Sequence, residues 1–373
     1  MSRMHEEVIQ KVLHAAQTGD LGVVQVAIRD HDSPDHEIST CRNKLGDTPL
    51  LIAARHGNLA VLKYLREEVA LSLEQANLDG KRALHESAQS SHIECVKYLL
   101  ACGAQIDSLK RADWTPLMLA CTKSSLEVVS ELVLAGANYS LVNKDGWTPF
   151  HIACREDNMH IVEFFLSQYP DAWNVRSKNG RTPLHTAALH SRVDVVELLL
   201  EKCGYGSDDV DSVGVTPLMD AARSCLTGHQ LKIVDMLINR HHASVSAADS
   251  LGRVAIHHAA QTGNTTGVTR LVKSYGADPS SISSVHAMTP LHYAAKEGHL
   301  GTVQYLMQLG VDVHSRDFKQ RTALHMAAIG HHADVVRYLR VDCHAEDQPD
   351  SSGQMPSSFL GRYPSLLALF APS

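Results

Sequence analysis

Positive charge is in short supply in this sequence. It has 34 Lys and Arg against 41 Asp and Glu, for a formal net charge of −7. A protein that holds nucleic acid normally shows the opposite balance, because it must neutralise phosphates. No apolar run approaches the roughly 20 residues a membrane span requires, and the tail run 365–370 falls far short. The opening residues 1–10 are charged and lack the apolar stretch of a secretory signal. The eight cysteines are scattered without a CxxC pair, which predicts reduced, packed thiols of a cytoplasmic or nuclear protein. Neither a G-x-S-x-G elbow nor a G-x-x-x-x-G-K-[ST] phosphate loop occurs. These absences predict an intracellular, monomeric protein with no catalytic residue, no metal, no cofactor, no membrane contact and no direct nucleic-acid contact.

What is present is self-similarity. Aligned on the threonine of a Thr-Pro-Leu-His phrase, repeats begin at Thr48, Arg82, Thr115, Thr148, Thr182, Thr216, Val254, Thr289 and Thr322. The intervals are 33 to 35 residues except between Thr216 and Val254, where Ser224–Gln230 reads as an insertion. A degenerate copy around Val12–Ala16 precedes a polar loop over Asp30–Thr40. The threonine can cap a first helix by accepting from an orphan backbone N–H. Proline at the first helical position gives up no hydrogen bond and presets φ. Leucine and paired alanines follow, and glycines such as Gly57, Gly263, Gly298 and Gly330 are placed to end the helix in the left-handed region. A second apolar helix and a Gly-containing turn complete the unit. Arg82 and Val254 replace the capping threonine, at a cost of about 1 kcal/mol each.

Nine such phrases in register resemble the ankyrin repeat. The resemblance implies an all-α solenoid of stacked helix pairs with projecting β-turn fingers. Residues 1–343 are expected to form the array, a degenerate N-terminal cap plus about nine repeats. The polar tail 344–373 is expected to lack fixed structure.

The 24 histidines invite a metal reading, but His85, His151, His185, His257, His292 and His325 all occupy the TPLH position. There an imidazole is placed to bridge backbone groups of adjacent repeats. The fingers say more. Four residues before the threonine stand Arg111, Lys144 and Lys178, and one residue before it stand Trp114, Trp147 and Arg181. Stacking turns equivalent positions into ladders, so a basic row beside two tryptophans is expected on one edge, with Lys110 adjacent. Trp and Arg are enriched at binding hot spots. The fifth residue of each phrase, including Leu119 and Ile152, is expected to line an open groove. Trp114, Trp147, Arg111, Arg181, Leu119 and Ile152 are therefore the candidate partner-binding residues.

Several longer phrases carry a narrower resemblance: Lys110–Met118, Asn143–Trp147, Arg181–Ala188, Ala248–Gly252 and Leu291–His299. They are similar to vertebrate ankyrin-repeat cofactors of alanyl-tRNA synthetase. That resemblance implies binding to the synthetase's catalytic domain and protection against serine mischarging, with finger lysines accepting misactivated serine. Its three lysine positions fall here on Arg111, Lys144 and Asn174, so Lys144 is the direct match, with Lys110 and Lys178 as neighbouring candidates. Arginine stays protonated and is a poor acyl acceptor. A free lysine is about 0.04% neutral at pH 7, which suffices for a reactive adenylate held close. The other reading is a scaffold or adaptor with an unrelated protein partner, since one fold hosts many roles.

Overall fold

The computed structural model describes residues 3–29, 40–224 and 229–370. The polar loop at Asp30–Thr40, Thr40 apart, lies outside the described residues, as does most of the insertion at Ser224–Gln230 with Cys225. Among the described residues the structure is helical, with a single isolated bridge between Lys110 and Trp114 and no strand. No described helix is long and apolar enough to cross a membrane. The chain divides into two compact units, Met1–Lys178 and Asn179–Ser373.

In the first unit, helix Arg3–Thr18 packs on Leu21–Arg29 and on Pro49–His56. Each following repeat supplies a short inner helix and a longer outer one: Ala83–Gln89 with Ile93–Ala101, Pro116–Ala120 with Leu126–Leu134, and Pro149–Arg155 with Met159–Gln168. The inner helices are sealed on nearly all sides, with Leu50, Leu51, Ala53 and Ala54 fully buried. Outer helices bury one stripe, such as Val61, Leu62 and Leu65. Full burial of each such leucine contributes roughly 1.5–3 kcal/mol.

The phrase chemistry is visible atom by atom. Thr48 Oγ1 accepts from Leu51 N–H at 3.3 Å and Thr115 Oγ1 from Met118 N–H at 3.2 Å. Histidine closes the cap from the other side. In the first unit the Nδ1 of His85 accepts from the N–H of Arg82 at 3.2 Å. In the second, His257, His292 and His325 accept from Val254, Thr289 and Thr322 at 3.1, 3.2 and 3.0 Å. A ring whose Nδ1 accepts carries its proton on Nε2. That Nε2–H donates to the next finger's carbonyl, from His85 to Trp114 at 3.2 Å, His185 to Val215 at 2.9 Å and His292 to Arg321 at 3.1 Å. So the helices that lack a threonine, at Arg82 and Val254, still keep the histidine half of the cap.

A second histidine position ties outer helices to the preceding repeat. His92 meets Arg55 O at 3.0 Å, His299 meets Gln261 O at 3.0 Å and His332 meets Lys296 O at 2.8 Å. Asparagine does the same at Asn58, Asn158 and Asn264. Gly57, Gly263 and Gly298 adopt positive φ, as their position requires. Gly330 does not: its φ is −77°, and the left-handed residue there is His331.

The second unit repeats this plan through the pairs from Pro183–Leu189 to Ala333–Arg337. Its end corrects the sequence reading. Residues 344–370 are not structureless but form a truncated repeat. Asp350 Oδ1 accepts from the N–H groups of Ser352 and Gln354 at 2.8 and 3.0 Å, building a finger. Ser351 N–H donates to Lys319 O at 2.9 Å, and His325 reaches Gln354 O at 3.2 Å. The short helices Pro356–Leu360 and Pro364–Leu367 then bury Leu360 and Leu366 against the last full repeat.

Candidate functional site

The fingers of the first unit form a ladder through their backbones. Leu78 N–H donates to Leu45 O at 3.0 Å, Arg111 N–H to Asp79 O at 2.8 Å, Lys144 N–H to Ala112 O at 3.0 Å and Lys178 N–H to Asp145 O at 3.0 Å. The turns hold their shape by an asparagine at their base. Asn77 Oδ1 accepts from Asp79 and Lys81 N–H, and Asn143 Oδ1 from Asp145 and Trp147 N–H, at 2.9–3.0 Å. Glycine takes the left-handed position, at Gly80 and Gly146. An added Cβ on Gly146 would meet the Lys178 backbone nitrogen at 2.5 Å, so consecutive fingers touch.

One finger departs from this plan. Lys110 replaces the asparagine and Asp113 replaces the glycine, and the chain makes a single 3₁₀ turn over Arg111–Asp113. Ala112 and Asp113 both sit at positive φ, 64° and 61°. Two adjacent non-glycine residues in that region store strain that surrounding contacts must hold, a pattern that clusters at ligand clamps. Lys110 supplies the contacts. Its backbone N–H donates to Trp114 O at 3.0 Å, and its ammonium meets Asp79 at 3.1 Å while lying 5.9 Å from the centre of the Trp114 ring.

The basic row is brought together in part as expected. Arg111 is 76% exposed, with its guanidinium 3.8 Å from Asp79. Lys144 and Lys178 are exposed and form no ion pair among the described residues. Lys110 is different, since its ammonium is engaged by Asp79. Trp114 and Trp147 are half-buried rather than free. The guanidinium of Arg155 covers the Trp147 ring at 5.4 Å, and His151 stacks on the same ring at 6.3 Å. Arg181 belongs to the second unit, where it pairs with Asp220, a fully buried carboxylate. Asn174 is exposed in the first unit.

Two groove residues are corrected. Leu119 is 3% exposed and Ile152 fully buried, and the same holds for Glu86, Thr186, Asp220, His258 and Met326 at the equivalent position. The fifth residue of the phrase points between stacked inner helices, so it cannot present a side chain to a partner. The surface there is made instead by residues on either side, seven after the threonine and one before it. Arg55 joins Asp47 at 2.9 Å to Glu86 at 2.7 Å, and Lys81 lies 3.6 Å from Glu86. In the second unit Arg253 and His258 share Asp249 at 2.8 and 3.1 Å. Sequence spacing held the signal once: Arg55 stands seven residues after Thr48 and Glu86 four after Arg82.

Burial sets the electrostatics of these groups. It pushes His85 and His257 down to about 4, and also lowers His258, His292 and His325. Burial raises Asp220 to about 6 despite Arg181 beside it. Cys95 is pushed up to about 11 and Cys41 to about 12, again by burial, which disfavours the reactive thiolate. Cys121 and Cys154 are fully buried in alanine positions. Among the described residues no group of three or more His, Cys, Asp or Glu is placed to hold a metal ion.

Comparison with known proteins agrees with the architecture. The family described as ankyrin repeats (3 copies) matches residues 12–110, 102–173, 161–249, 224–317 and 256–349. The chain belongs to the ankyrin-repeat family. Its relatives include the ankyrin repeat protein nuc-2 of Neurospora crassa, 29% identical over 163 residues, covering 44% of this chain and 15% of that protein. The ankyrin and armadillo repeat-containing protein of Homo sapiens is 30% identical over 132 residues, covering 34% of this chain and 9% of the relative. Protein phosphatase 1 regulatory subunit 27 of Homo sapiens is 37% identical over 76 residues, 20% of this chain and 49% of that protein. The chain thus spans less than half of each of these relatives. Solenoids of stacked repeats present extended surfaces suited to macromolecular partners.

Proposed function

We propose that this ankyrin array is a protein-binding module that holds the catalytic domain of alanyl-tRNA synthetase on the fingers of its first unit. In this reading, exposed finger lysines accept serine that the synthetase has activated in error. The observation that carries the reading is the row of Arg111, Lys144 and Lys178 on three consecutive fingers, beside Trp114 and Trp147. Support also comes from the sequence phrases around Lys110–Met118 and Asn143–Trp147. The partner's name comes from those phrases alone, since none of the relatives named above is described as a synthetase cofactor. We place the protein in the cytoplasm, with access to the nucleus, as a monomer.

The capture step needs no catalytic group on this chain. A neutral lysine Nζ attacks the carbonyl carbon of seryl adenylate and an amide bond forms. The acyl–phosphate C–O bond breaks, AMP leaves with the electron pair, and the proton from nitrogen passes to water. Lys144 and Lys178 are the acceptors favoured, since neither ammonium is engaged by a carboxylate among the described residues. Lys110 ranks below them because of its contact with Asp79 at 3.1 Å. Arg111 contributes charge and not chemistry.

The test is capture of purified alanyl-tRNA synthetase catalytic domain on the immobilised protein, against a Trp114→Ala, Trp147→Ala variant. Retention by the parent and a loss of roughly 2 kcal/mol or more in the variant, with an unchanged circular dichroism spectrum, support the proposal. Failure of the parent to retain the synthetase while it retains a different cytosolic protein would favour the adaptor reading.

A further inference from the structure

The fingers of the first unit carry a pattern along the stack that the synthetase reading does not use. Equivalent tip positions on four consecutive fingers hold Leu78, Arg111, Lys144 and Lys178. Leu78 is 74% exposed, and Leu45 on the finger before it is 62% exposed. Exposed leucines are unremarkable singly, but these two flank one cleft of about 410 Å³, whose walls also include Arg55, Lys81, Glu86 and Arg111. Lys44 holds the equivalent position on the finger before Leu78, so the row is apolar at Leu78, over the cleft, and cationic on the fingers to either side. Nearby acids offset it only in part. Asp79 is shared between Lys110 at 3.1 Å and Arg111 at 3.8 Å, and Asp145, although exposed, stands beside Lys144 and Lys178, which form no ion pair among the described residues.

Geometry narrows what could lie along such a row. Stacked helices sit about 8–10 Å apart, so successive tips recur at about that interval. A polyproline II segment advances about 9.3 Å per three residues and returns the same face each time. A β-strand returns its face after about 6.8 Å and falls out of register within two fingers. The strained turn at Ala112–Asp113 follows Arg111, which stands in this row between Leu78 and the two lysines.

We propose that the finger row of the first unit is a docking surface for a polyproline II segment of a protein partner, with one apolar residue followed by acidic residues at every third position. The apolar side chain enters the cleft beside Leu45 and Leu78. The carboxylates meet Arg111, Lys144 and Lys178 in turn. The segment rests on the fingers being the partner surface, as proposed above, but not on the identity of the partner.

The probe is a fluorescein-labelled peptide Leu-Pro-Pro-Glu-Pro-Pro-Glu-Pro-Pro-Glu, together with its reversed sequence, titrated with the full chain and read by anisotropy. Binding by either direction is expected, weakening as salt rises. Arg111→Gln, Lys144→Gln, Lys178→Gln together should weaken it about tenfold, since each exposed pair contributes only modestly. Leu78→Ser should weaken it without changing the salt dependence. The peptide Leu-Pro-Glu-Pro-Glu-Pro-Glu, with carboxylates at every second position, should bind worse than the first. Lys296→Gln with Lys319→Gln, in the second unit, should leave binding unchanged. Absence of binding by both directions, or equal binding by the triple-Gln chain at an unchanged melting temperature, overturns the proposal. Synthetase capture is measured separately, so loss of peptide binding with synthetase retained refutes this inference alone.

Discussion

Acid should weaken this fold through its histidines, and the two units should not respond alike. The rings of His85 and His257 are neutral hydrogen-bond bridges whose Nδ1 accepts from a cap N–H. Protonation would turn that acceptor into a donor facing a donor. Burial lowers both from 6.5 to about 4. Between those limits the unfolded chain binds more protons than the folded one, so stability rises with pH. It is fully present above about 6.5 and is lost as pH falls toward 4. At pH 5 each of these two histidines costs about 2 kcal/mol relative to neutral pH. In the second unit His258, His292 and His325 are lowered as well, by burial. Asp220 opposes them. Its carboxyl is raised to about 6, so protonation favours the folded state and returns roughly 1.5 kcal/mol at pH 5. His257 alone outweighs that return, and three further histidines add to it. Hydrogen exchange followed from pH 7.5 to 5, corrected for intrinsic rates, should therefore show residues 255–329 losing protection before residues 49–168. His257→Gln should flatten the second unit's pH dependence by about 2 kcal/mol. Equal protection of both units across this range, or an unchanged slope in the variant, would refute the reasoning.

Gly146→Ala and Gly103→Ala both place a side chain at φ near 80°, but only Gly146 has a neighbour in the way, the Lys178 nitrogen at 2.5 Å. Urea unfolding should show a loss of about 1 kcal/mol for Gly103→Ala and a larger one for Gly146→Ala; equal losses would mean that the fingers do not press on one another. Serine activated by the synthetase beside this protein should label Lys144 and Lys178 ahead of Lys110 in peptide mass spectrometry. Labelling of Lys296 to the same extent would mark the acylation as non-specific and remove the capture step from the account. Double replacement of Trp114 and Trp147 by alanine should cost binding without loss of helix content. Its failure to fold would assign the two rings to the stack instead of the surface.

Much of this was legible in the residues. Thr-Pro-Leu-His announces a cap, a preset first turn, an apolar contact and a bridging imidazole; the cap bond forms at Thr48, Thr115 and Thr216 and the imidazole bridge at His85, His185 and His292. The reading of the groove failed at Leu119 and Ile152 because a repeat phrase gives positions along a helix but not which side a neighbour covers. Inner helices here are enclosed by the stack on both sides, so even Glu86 and Asp220 are buried at that position. The engagement of Lys110 was hidden for a similar reason: its partner, Asp79, belongs to the preceding finger. The tail misled by composition. Asp350, Gly353 and Pro356 are the finger and helix-start residues of one more repeat, with Met355 in place of threonine one repeat length after Thr322. Polar residues in a turn signal geometry there, not disorder.

The fingers of the first unit are the surface on which we propose that a synthetase is held. Backbone hydrogen exchange of the full chain, with and without the alanyl-tRNA synthetase catalytic domain, tests this most directly. Added protection should appear at residues 110–114, 143–147 and 177–178, while the outer helices Leu59–Glu67 and Ile93–Ala101 exchange as before. Protection confined to the outer helices or to the second unit, or no change at saturating synthetase, would contradict it.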